Sequence, residues 1–174
     1  RDGFRMDRIY SQMGYVFAKH IFGIKGSYAV DPQKGAVVMT LTTQGDVPIH
    51  YTLDGSEPTA ASPRYTGPVE IGKSARFRAT ALREGGENAS YSREFAFSKS
   101  TGRPAVLNTK PNDSYTFEGA SLLVDGYHSR PVFTSGAWLG YLDEPLDVTI
   151  DMGGEQSYRS VELETLAEKG DWIF

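Results

Sequence analysis

The chain has 174 residues, no cysteine, and 18 basic against 22 acidic side chains, for a formal net charge of -4 and a pI near 5.4. This length allows one or two compact domains, and the absence of cysteine excludes thiol catalysis, iron–sulfur clusters and cysteine-held zinc. The mild acidity argues against nucleic acid, whose phosphates demand a basic stripe, and no apolar run approaches the roughly 20 residues of a bilayer span.

In chain order, the first expected element is a helix. Met6, Ile9, Met13, Val16, Phe17 and His20 recur at spacings of three and four, with Arg1, Arg5, Arg8, Gln12 and Lys19 opposite them. This is the stripe of one amphipathic helix over about residues 2–20, with Gly23 as its exit. Such a stripe must pack on something, either the rest of the chain or a partner beyond it. The opening Arg1, without an apolar leader, reads as an interior or C-terminal piece of something longer.

From Ser27 onward the pattern changes to short runs rich in Val, Thr, Tyr and Phe between Gly, Pro, Asp and Asn clusters, which predicts an all-β sandwich. Val37, Met39 and Leu41 share one face of a strand; Ala75, Phe77, Ala79 and Ala81 share one face of another, with Arg76 and Arg78 opposite. Near residues 99–104, KSTGRP has the composition of a short interdomain linker. Beyond it, strands are expected at 105–107, 115–117, 121–124, 137–141, 146–152 and 160–166. In the fifth of these the alternation is strict, with Leu146, Val148, Ile150 and Met152 inward and Asp147, Thr149 and Asp151 outward. The apolar DWIF end reads as mid-strand.

These residues resemble a known family. GYVFAKHIFGI, YTLDGSEPT, RYTGPVEI and SARFRATALREG are similar to the end of a glycoside hydrolase family 20 β-N-acetylhexosaminidase of the Bacteroides-like kind. The resemblance implies that residues 1–22 are the terminal helix of a catalytic barrel absent from this chain. It implies an immunoglobulin- or fibronectin-like sandwich over 24–98, the chitobiase/hexosaminidase C-terminal type. LVDG, WLGY, PLDVTIDMG and EKGDWIF resemble part of a discoidin-type jelly roll, which implies a partial carbohydrate-binding-like sandwich over 104–174. The implied fold class is mainly β with one preceding helix. The implied role is a non-catalytic accessory region that braces the barrel and binds glycan weakly, in a secreted, periplasmic or cell-surface enzyme. Its partners would be the upstream barrel of the same polypeptide and glycans, with no cofactor, no nucleic acid and no membrane span. The competing reading is a free-standing surface glycan-binding or adhesion module; the opening helix, of no use to an adhesin, discriminates the two.

Asp54-Gly55 with Pro58 is turn chemistry, because an Asx side chain bonds its local backbone and glycine takes positive φ. Asp143-Glu144 mimics the adjacent Asp-Glu pair of family 20 catalysis, but 11 Asp and 11 Glu predict about 0.7 such dipeptides by chance. The pair also lies between Leu142 and Pro145 in a loop, so no catalytic residue and no metal ligand is assigned. His20, His50 and His128 are too scattered for a metal site, and His50 is expected on the solvent side of a strand. The stretch from Asp125 to Tyr141 concentrates Tyr127, His128, Arg130, Phe133 and Trp138. Sugar sites pair an aromatic face with hydrogen-bonding side chains, so Tyr127, His128, Arg130 and Trp138 are the candidate carbohydrate-binding residues. The plainer alternative makes Trp138 a core residue with Phe133 beneath it. The Asp125-Gly126 pair is followed by Tyr127 where discoidin calcium sites have Asn, which weakens a calcium reading.

Overall fold

The computed structural model describes residues 23–45, 47–83, 88–129 and 131–167. The expected helix at 1–22 lies outside the described residues. So do the WIF end and the candidate ligand Arg130.

Six strands build two antiparallel sheets: β1 (Lys25–Asp31), β2 (Ala36–Thr42), β3 (Ile49–Thr52), β4 (Val69–Ile71), β5 (Ala75–Ala81) and β6 (Ala89–Phe95). One sheet has the order β1-β2-β4 and the other β3-β5-β6. The predicted alternation sets the faces. Val37, Met39 and Leu41 of β2 are buried, as are Phe77, Ala79 and Ala81 of β5, and they meet Ile49, Ile71 and Phe95 in one core supplied by both sheets. Arg78, opposite that face, forms an ion pair with Glu57. Burying side chains of this size is worth roughly 1.5–3 kcal/mol each, which makes this core the main stabilising feature.

β6 shows a subtler alternation, with Ala89, Tyr91, Arg93 and Phe95 on the less exposed face. The Tyr91 ring requires room beside β1. A Cβ on Gly26 would lie 2.3 Å from its Cζ, so a larger residue there must displace the ring.

Residues 99–104 form a packed joint. Thr101 and Gly102 are buried, and Gly102, at φ 75, lies so close to the β1–β2 turn that a Cβ would sit 2.6 Å from the Gly35 carbonyl carbon. The Gly102 N–H donates to the Val124 carbonyl at 2.7 Å. This ties the joint to the downstream segment as well.

Downstream, β7 (Ala105–Leu107) pairs with β8 (Val148–Ile150) in a two-stranded antiparallel ladder. The predicted register of faces holds here: Leu146, Val148, Ile150 and Met152 are half-buried, while Asp147, Thr149 and Asp151 are exposed. The other expected strands are corrected. Among the described residues of 104–167 no further ladder forms, so the segment is less regular than the jelly roll that was expected. Single turns of 3-10 helix occupy Asp113–Tyr115, Gly119–Leu123 and Phe133–Ser135. Local bonds explain the first two: Asn112 Oδ1 accepts from the Ser114 N–H, and Ser121 Oγ donates to the Glu118 carbonyl. Polar side chains that bond their own backbone compete with ladder formation. Residues 137–141 and 160–166 run without strand pairing, with Val161 83% and Leu163 57% exposed.

Candidate functional site

The Asp125-Gly126 turn positions the centre of the downstream segment. Asp125 is buried, its Oδ1 accepting from the Tyr127 N–H and its Oδ2 from the Tyr28 hydroxyl, both at 2.8 Å. Tyr28 lies on β1, 97 residues away. A further backbone bond, from the Ala96 N–H to the Gly126 carbonyl at 2.7 Å, and a bridge between Phe95 and Tyr127 close the arrangement.

Arg93 completes this junction. Its guanidinium stands 4.1 Å from the Tyr127 ring centroid, 5.0 Å from that of Tyr28 and 5.9 Å from that of Tyr91. Cation–π attraction supplies the favourable term that a charged inward residue requires. Burial pushes the Asp125 carboxyl above the usual carboxylate range, against the opposing pull of the Tyr127 N–H, the Tyr28 hydroxyl and Arg93. The Tyr28 phenol is raised too, first by burial and then by the neighbouring carboxylate.

A cavity of about 1110 Å³ opens beside this junction, among the downstream loops. It brings together three of the four sequence-predicted residues, Tyr127, His128 and Trp138, with Asp143, Glu162 and Glu164 on the same wall. The chemistry available to each differs. Tyr127 is half-buried, and Arg93 covers its ring. His128 is exposed, with Nδ1 at 3.2 Å from Glu164 Oε2. Trp138 is half-buried at the cavity wall, and Phe133 packs against Tyr115 at 6.3 Å between centroids. The rest of the lining mixes leucines such as Leu122, Leu139 and Leu146 with aromatic rings such as Tyr115 and Tyr141 and polar groups such as Asn112 and Thr165. A wall that combines apolar and aromatic faces with polar groups has the composition that stacks on and hydrogen-bonds a small polar ligand.

The remaining motifs fall as follows. Asp54 makes the expected Asx turn, its Oδ1 accepting from the Ser56 N–H at 3.0 Å and from its hydroxyl at 2.6 Å, while Gly55 takes φ 84. These two bonds hold the Asp54 carboxyl below its ordinary value. Asp143 and Glu144 are exposed in a bend, with Asp143 at φ 63. His50 departs from expectation: it is half-buried on β3, its Nδ1 2.7 Å from the Ser62 carbonyl oxygen. Sequence reasoning overlooked Arg93 and Tyr28. The signal for Arg93 was its place between Tyr91 and Phe95 in a period of two; nothing local signalled the partner of Tyr28.

The matched family lies over the sandwich. Residues 26–93 match the chitobiase/beta-hexosaminidase C-terminal domain. The matched span begins in β1 and ends in β6, so it takes in both three-stranded sheets and stops short of the joint at 99–104. No match to the chain is found among curated proteins.

Proposed function

We propose that this chain is the non-catalytic C-terminal accessory region of an exo-acting β-N-acetylhexosaminidase. In this reading residues 1–22 are the last helix of the catalytic barrel, residues 24–98 an immunoglobulin-like sandwich that braces it, and residues 104–174 part of a discoidin-type module that holds glycan. The observation that carries the reading is the hexosaminidase-type domain over residues 26–93, which spans a well-packed two-sheet core. Three features support the rest. The stripe from Met6 to His20 suits the outer ring of a barrel. Asp143 and Glu144 are both exposed, Asp143 at the rim of the Tyr127 cavity, whereas a glycosidase's paired carboxylates flank a bound sugar, so the reading assigns the chemistry to the barrel. Tyr127, His128 and Trp138 share one cavity. A glycan-processing enzyme of this kind works outside the cytoplasm, which places the protein in the periplasm, at the cell surface or in the medium.

The gene sequence upstream of the Arg1 codon tests this reading. A continuous reading frame encoding a (β/α)-barrel supports it. A frame encoding only further binding modules would replace it with the free-standing adhesion module.

A further inference from the structure

A second cleft, which shares Phe97, Ser98 and Thr101 with the first, has a different chemistry. It is formed where the β1–β2 turn (32–35), the β4–β5 turn (72–74) and the joint (97–103) come together, with a volume of about 610 Å³. Lys34, Lys73, Lys99 and Arg103 all line it, and no carboxylate does. In a chain of net charge -4 this is a local inversion of sign. The cations are unequally compensated. Lys34 forms an ion pair with Glu70 on the adjacent strand. Lys99 donates to the Ser157 carbonyl, a neutral partner. Among the described residues no carboxylate lies within ion-pairing distance of Lys73, Lys99 or Arg103; Asp151 instead accepts the Gly153 N–H on its Oδ1. The hydroxyls of Ser74 and Ser98 and the ring of Phe97 complete the lining.

Like charges held together repel, so three cations with no ion-pair partner among the described residues lose that cost when an anion enters. They come from two separate segments, Lys73 from the β4–β5 turn and Lys99 and Arg103 from the joint, a spread that suits an extended anion rather than a single ion. We infer that this cleft binds an anionic saccharide, one bearing sulfate or carboxylate groups, and so directs the protein to acidic glycans. The choice of a saccharide rests on the accessory-region reading above; the anion preference rests on the cleft alone.

Binding of the full chain to dextran sulfate and to neutral dextran of the same length, measured calorimetrically at low and moderate salt, tests the inference. Dextran sulfate is expected to bind, with affinity falling as salt rises, and neutral dextran to give no signal at this cleft. The triple change Lys73→Ala, Lys99→Ala and Arg103→Ala is expected to weaken binding roughly tenfold or more, the combined worth of three surface charges. The equally charged control Lys25→Ala, Arg64→Ala and Lys110→Ala, at exposed positions outside the cleft, is expected to leave it within about twofold. Equal losses in both triples would reduce the effect to net charge and overturn the site. Absence of dextran sulfate binding to the unmodified chain would overturn it as well, while a barrel-encoding frame upstream of Arg1 would leave the accessory reading standing. Retention of the native near-ultraviolet circular dichroism in both triples separates lost binding from lost folding.

Discussion

Replacing Gly102 by alanine is expected to destabilise the protein by about 2–5 kcal/mol, because two costs coincide there. At φ 75 the residue occupies the left-handed region, where a Cβ costs roughly 1–2 kcal/mol. The new methyl would also lie 2.6 Å and 2.8 Å from the carbonyl carbon and Cα of Gly35 and 3.0 Å from the Ala36 nitrogen. All three are backbone atoms of a turn between paired strands, so relief requires the joint to move, and overpacking of this kind costs about 1–3 kcal/mol. Two other glycines separate the terms. Gly35, at φ 59 with nothing near its absent Cβ, carries the backbone term alone, and its alanine variant should lose about 1–2 kcal/mol. Gly72 has open space and an ordinary φ, so Gly72→Ala should stay within about 0.5 kcal/mol of wild type. The entropic gain of replacing glycine in the unfolded chain is common to the three and cancels in the comparison. Urea unfolding at constant m, followed by tryptophan fluorescence and far-ultraviolet circular dichroism, gives the ranking. If Gly102→Ala costs no more than Gly35→Ala, residues 99–104 are not packed against the sandwich and the rigid joint is wrong.

Two further outcomes are expected. Gly26→Ala drives a methyl to 2.3 Å from the Tyr91 ring and should cost about 1–3 kcal/mol in the same urea assay; a cost under about 0.5 kcal/mol would show that the ring is free to swing away. Asp125 has a folded-state pKa above its unfolded value of about 3.9, so its contribution to stability is fully present below that value and is lost as pH rises through the raised one. The midpoint difference between wild type and Asp125→Asn should therefore move in favour of the variant as pH rises from 3.5 to neutrality, on the order of a pH span set by that shift. A flat difference would contradict burial as its dominant cause.

What the sequence revealed divides along the joint. In β2 and β5 a period of two with one apolar face was enough, because each strand packs that face on a core, with Thr40 and Thr42 of β2 and Arg76 and Arg78 of β5 less buried on the other side. The same logic placed every residue from Leu146 to Met152 on its correct side. It failed at Ser121–Val124 and Tyr115–Phe117, where apolar runs of three or four residues fit a 3-10 turn as well as a strand, and only a ladder partner decides between them. It failed differently at the junction. Asp125-Gly126 reads locally as a turn and is one, but its burial depends on Tyr28, on the first strand of the sandwich. The period of two puts Arg93 on the face of Tyr91 and Phe95, but only the folded chain shows the three tyrosine rings around it. Of the candidate glycan ligands, the cavity unites Tyr127, His128 and Trp138, which a concentration of aromatic and polar residues over a short stretch could signal.

The central claim, that this region serves a hexosaminidase without itself being one, is tested most directly by turnover of an aryl N-acetyl-β-glucosaminide. The measurement compares the product of the complete reading frame with the chain Arg1–Phe174 alone. The account predicts hydrolysis by the former and none by the latter, since a carboxylate pair without a positioned sugar subsite provides no transition-state stabilisation. Turnover by the chain alone that disappears on Glu144→Gln, or a complete product inactive on every N-acetylhexosaminide, would contradict it.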